Sequence, residues 1–151
     1  MLLSSKYIPS RLHLQHQTKK IYKMDTKNKV LLIGVDTSKF LNSNIPGYDP
    51  AEIHRQSVIA KDNLIAMGYD AKWCYIDITS NNASEALSTE LLANQFDCIL
   101  VGAGLRKRPD QLRLLETLIN IIHLNDVGAK ICFNEDVHDT VETVTRTLKI
   151  K

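Results

Sequence analysis

Four short apolar runs punctuate the chain: KVLLIGV (29–35), AKWCYI (71–76), DCILVG (97–102) and AKICF (129–133). Between them lie longer stretches in which apolar residues return at helical spacing. Strands that alternate with helical segments imply right-handed crossover units and a parallel sheet. The first and third runs are almost continuously apolar, as expected of central strands covered on both faces, whereas Lys72, Trp73 and Tyr75 mark the second as an edge strand. The expected strand order is 2-1-3-4, with the chain reversing direction across the sheet between the first and third strands.

The helix boundaries are signalled chemically. Asp49-Pro50-Ala51-Glu52 offers an aspartate cap, a proline at the first helical position and a glutamate at the third, and Gly68 is a stop, so a first helix is predicted from about 50 to 67. Asn82-Ala83-Ser84-Glu85 offers a similar box for a second helix reaching about Ala93. Pro109 and Asp110 open a third through about Asn125, and Asp136 opens a fourth through about Leu148. The prediction is a single three-layer α/β domain, Rossmann-like or flavodoxin-like, over residues 24–151, with helices on both faces of a four-stranded parallel sheet.

In the third helix, Leu112, Leu114, Leu115, Leu118, Ile119, Ile121 and Ile122 spread over about half the circumference. That is more than one sheet face needs. The surplus, Leu114 and Ile121 above all, points to a neighbouring helix or to a homodimer through helix 109–125. Glu116, Asn120 and His123 share a narrow strip, which reads as an ordinary solvated face.

Open parallel sheets bind ligands beyond the carboxyl ends of their strands, beside the point where strand order reverses. Here that geometry gathers Gly34, Asp36 and Ser38 after the first strand, Asp77 after the second, Gly102, Gly104 and Arg106 after the third, and Asn134 after the fourth. In VGAGLRKRP (101–109) the two glycines permit close backbone approach and positive φ at a turn into a helix, where backbone N–H groups and Arg106 could hold an anion. The alternative is a tight turn followed by solvated cations. Asp36 is the best candidate for a general base, or else a loop cap for Ser38. The connection 37–50, carrying Phe40, Ile45 and Tyr48, is long enough to be a lid over the site or a cover for the core edge. Lys107 stands where a dinucleotide fingerprint needs its third glycine, and no GxxxxGK[ST] loop is present. A receiver-type phosphorylation domain needs an acceptor aspartate where this chain has Gly102.

Charge alters the picture at one end only. The 151 residues carry 19 Lys and Arg against 17 Asp and Glu, but Lys6, Arg11, Lys19, Lys20 and Lys23 crowd an N-terminal stretch without a single acid. The remainder is mildly acidic, which argues against a nucleic-acid-binding face. Residues 1–23 read as a basic tail, either a targeting segment or sequence upstream of a working start at Met24. A cytoplasmic location is expected, or an organellar one if the tail is a transit segment. No apolar stretch approaches the roughly 20 residues of a membrane span. Cys74, Cys98 and Cys132 lie apart inside apolar runs, without zinc spacing, and His13 and His16 are isolated, so core thiols in a reducing compartment and no metal are expected.

The segments IGVD (33–36), IPGYDPAEI (45–53), VGAGLR (101–106), LINIIH (118–123) and ICFN (131–134) resemble a family of small α/β proteins of bacteria and some fungi to which no activity is assigned. The resemblance spans about residues 29–146 and marks Asp36, Pro46, Gly47, Gly102, Gly104, Arg106, Asn120, His123 and Asn134. The chain departs from it in the cations of RKRP (106–109). The resemblance implies a fold but no reaction. The expected function is therefore binding of a small anionic metabolite or nucleotide at the carboxyl ends of strands 1 and 3. A non-enzymatic homodimeric module is the alternative, and an NAD(P)-type oxidoreductase a weaker one.

Overall fold

A computed structural model describes residues 27–149, so the basic tail at 1–23, the alternative start at Met24 and His13 and His16 lie outside the described residues. The elements follow the apolar pattern closely. Strand β1 (Lys29–Val35) leads through a 3-10 turn (Thr37–Phe40) to α1 (Pro50–Ala66); β2 (Asp70–Ile76) leads to α2 (Glu85–Ala93). Strand β3 (Cys98–Val101) is followed by one helical turn (Ala103–Arg106), a 3-10 turn (Pro109–Gln111) and α3 (Leu112–Asn125); β4 (Lys130–Phe133) is followed by a 3-10 turn (Val137–Asp139) and α4 (Thr140–Leu148). The sheet is parallel throughout, with the expected order β2-β1-β3-β4.

Side-chain alternation divides the core into two layers. Val30 and Leu32 of β1 and Leu100 of β3 face Leu64 of α1 and Val144 of α4. Leu31 and Ile33 of β1 and Val101 of β3 face Leu87 and Leu91 of α2 and Leu118 and Ile122 of α3. Both layers are dry, because Val30–Ile33 and Cys98–Val101 are 0% exposed.

Three boundaries differ from expectation for local reasons. Asp49 caps α1 by accepting from Glu52 N at 3.1 Å, and Gly68 adopts φ 98° beyond its end, as predicted. The box at Asn82–Glu85 does not form: Ser84 makes no side-chain cap, and Glu85 N instead donates to the Asn82 carbonyl. The third helix is broken at Gln111, whose ψ of 13° ends the 3-10 turn before α3 begins. The fourth opens with a 3-10 turn, where the Asp136 carboxylate accepts from His138 N and that of Asp139 from Asp136 N.

Part of the wide apolar arc of α3 packs within the chain. Leu114, Leu115, Ile119 and Ile121 are partly buried against the core they share with α2, leaving Leu112 and Leu124 exposed. Glu116, Asn120 and His123 are exposed, and the Asn120 amide donates to the Glu116 carbonyl. All three cysteines are buried thiols. Cys98 and Cys132 approach to 3.5 Å, but the register pairs Cys98 with Lys130 and Leu100 with Cys132, so the two thiols meet diagonally. Burial pushes the Cys74 thiol up to about 11. Among the described residues no helix is long and apolar enough to cross a membrane.

Candidate functional site

The alternation that sends Val30 and Leu32 toward α1 and α4 sends Gly34 the same way, and Gly102 follows Cys98 and Leu100 on that face. Both glycines line a hollow at the carboxyl end of the sheet. It is a pocket of about 380 Å³. Trp73 and Tyr75 of β2 form one wall, Ile53 and Ser57 of α1 another, and Val137 and His138 ahead of α4 a third. Tyr48 reaches it from the long connection, while Phe40 of the same connection packs against the core, so that segment serves both the pocket and the core edge.

Gly34 is required by its neighbour. The indole of Trp73 lies over it, and a Cβ on Gly34 would sit 2.9 Å from Trp73 Cζ3. That indole runs parallel to the Tyr75 ring, with centroids 5.6 Å apart and planes 7° apart, and its Nε1 donates to the Ser57 carbonyl at 2.8 Å. The Ser57 hydroxyl donates to the His54 carbonyl, so Tyr75 Oη is the donor in its 3.1 Å contact with Ser57 Oγ. Gly34→Ala is expected to displace a ring rather than backbone, costing about 1 kcal/mol in urea unfolding and shifting the tryptophan emission maximum. An unchanged spectrum would mean that the indole does not rest on Gly34.

Gly102 shows the close approach that was expected of the glycine turn, without the positive φ. Its φ is −67°, and positive φ among the described glycines is confined to Gly47 and Gly68. The requirement is close approach: Gly102 N donates to the Ile33 carbonyl at 2.8 Å, and a Cβ would stand 2.8 Å from that same oxygen. Gly104 is looser, with Val35 Cγ2 3.2 Å from its Cβ position. The next amide, Ala103 N, donates to Asn134 Oδ1 at 2.9 Å, while Asn134 Nδ2 donates to Thr140 Oγ1 at 3.0 Å. Asn134, 3% exposed, therefore ties the turn after β3 to the start of α4.

Of the residues expected at the site, the structure brings Gly34, Gly102, Gly104 and Asn134 to the pocket. Asp36, Ser38 and Arg106 are not on its lining. The Asp36 carboxylate accepts from Ser38 N at 3.1 Å and from Ser38 Oγ at 2.6 Å, which is the loop-cap arrangement. Asp77 does the same for Thr79. Arg106 turns to β4, donating to the Asn134 carbonyl with its guanidinium over the Phe133 ring, and Lys107 donates to the Glu135 carbonyl. Arg108 lies over Phe40. The cations that follow the glycines thus fasten the loops to one another.

The lining carries one carboxylate, Asp136, and one imidazole, His138, with no lysine or arginine. Thr37 also lines it, 5% exposed, with its hydroxyl unpaired among the described residues. Sequence reasoning missed Trp73 and Tyr75 as site residues, although the signal was present. Both are aromatic, they alternate on one face of an edge strand, and the register sets Tyr75 directly across from Gly34. Comparison with family models, curated proteins and solved structures finds no match, so the family resemblance rests on its own segments.

Proposed function

We propose that the protein binds a small molecule at the carboxyl ends of β1 and β3, with a flat ring of the ligand placed against Trp73 and Tyr75. The observation that carries this reading is the pocket itself: about 380 Å³ at the point where strand order reverses, its floor made of glycines whose Cβ positions are occupied by neighbours. Of the anionic metabolite and the nucleotide expected from sequence, the lining supports the ring of the latter. Aromatic walls stack on any flat heterocycle, while Arg106, the cation expected to hold an anion, donates to the Asn134 carbonyl. A dinucleotide would need loop N–H groups free for its pyrophosphate, and those of Gly102 and Ala103 already have acceptors.

Trp73 is the only tryptophan in the chain, so its emission reports on the pocket directly. Titration with heteroaromatic metabolites and nucleotides should give saturable quenching that disappears in Val137→Phe, which fills the pocket from the side facing α4. If no ring compound changes the emission of the parent protein, this reading is wrong.

A further inference from the structure

We infer that the pocket selects an uncharged, nucleoside-sized heteroaromatic compound and rejects its phosphorylated form. The inference rests on the ring-binding reading above and adds to it the charge of the ligand. The ionisable side chains at the pocket, apart from tyrosines, are Asp136 and His138. Asp136 is held in place by its bond from His138 N at 2.7 Å, within a cap that also engages Asp139. Its carboxylate is therefore a fixed part of the rim.

The nearby cations are not on the lining. Arg106 and Lys107, the first two cations after the glycine turn, donate to the carbonyls of Asn134 and Glu135, immediately ahead of Asp136. A phosphate entering the pocket would meet a carboxylate without a lysine or arginine on the lining. At an effective dielectric between protein and water, one negative charge about 6 Å from that carboxylate weakens binding roughly tenfold.

The remaining polar groups suit a ligand rich in hydroxyls and ring nitrogens. Thr37, on the lining, has a buried hydroxyl without a partner among the described residues. Tyr75 and Ser57 share one hydrogen bond at the wall and retain capacity for another. A carboxylate such as that of Asp136 accepts well from sugar hydroxyls, which are donors. A flat base against Trp73 and Tyr75 with an uncharged sugar toward Asp136 satisfies both ends of the pocket.

The test follows Trp73 emission during titration of the full chain with adenosine, guanosine, cytidine and uridine and with the matching 5′-monophosphates. The series is repeated on Asp136→Asn, which keeps an acceptor for His138 N and a good cap. The expected result is at least one nucleoside binding roughly tenfold or more tighter than its monophosphate, with the ratio falling below about threefold in Asp136→Asn. Thermal melts of both proteins establish that the variant is folded. Monophosphates that bind as tightly as nucleosides would overturn the charge selection and leave the ring-binding reading standing, as would an unchanged ratio in a folded Asp136→Asn. Quenching by other ring compounds but by no nucleoside would overturn the ligand class alone. No quenching by any ring compound would remove both.

Discussion

Replacing Gly102 with alanine is expected to destabilise the domain by about 3 kcal/mol, the upper end of the range for forcing an extra carbon into a packed interior. The new methyl group would stand 2.8 Å from the Ile33 carbonyl oxygen, and that oxygen belongs to the backbone of a central strand. No side chain can swing away to relieve it. Either β1 or the turn after β3 must move, and the bond from Gly102 N to the same oxygen is lost with it. The companion substitution Gly104→Ala meets only a Val35 methyl at 3.2 Å on an exposed turn and should cost less than about 1 kcal/mol. Urea unfolding of the two variants decides the point. Equal midpoints would mean that close approach is not what fixes the first glycine.

Asn134→Ala should cost about 2–3 kcal/mol, because it removes a buried side chain that serves two elements at once. Ala103 N would lose its acceptor, and Thr140 Oγ1, which itself donates to the Val137 carbonyl, would lose its donor. Asn134→Asp retains an acceptor for Ala103 N but not the amide donor, so it separates the two halves of the interaction. Hydrogen exchange at the Ala103 amide is expected to accelerate strongly in the alanine variant and far less in the aspartate one. Equal protection in both would mean that the asparagine does not hold the turn.

The strand order and the layers were legible because each rests on a long, redundant signal. Six consecutive residues of β1 after Lys29 and four of β3 announce buried strands, and an error at any one position would not change the reading. The crevice between β1 and β3 follows from that order alone. Residue roles within it were harder, since they depend on where a side chain of known chemistry turns. Arg106 has the length to reach forward to a ligand or sideways to β4, and only the position of the Asn134 carbonyl decides between them. Asp36 is equally suited to a base or a cap, and Ser38 two residues later supplies the cap's partners. Of the two causes expected for Gly102, close approach and positive φ, only the first applies, and its partner, the Ile33 carbonyl, is a long-range contact invisible in local sequence. The break of the third helix at Gln111 is likewise a matter of one dihedral angle that no capping residue announces.

At Gly102 the floor of the pocket is backbone. Side-chain walls can collapse into an empty cavity by changing rotamer, but Gly102 has no rotamer to change, and the Ile33 carbonyl oxygen stands 2.8 Å from where its Cβ would be. A guest therefore freezes no torsion at that point of the floor. The ordering entropy of association falls on the walls, chiefly on Tyr48 and His138, which makes the aromatic connection and the rim before α4 the parts of the molecule where affinity can be tuned without rebuilding the sheet.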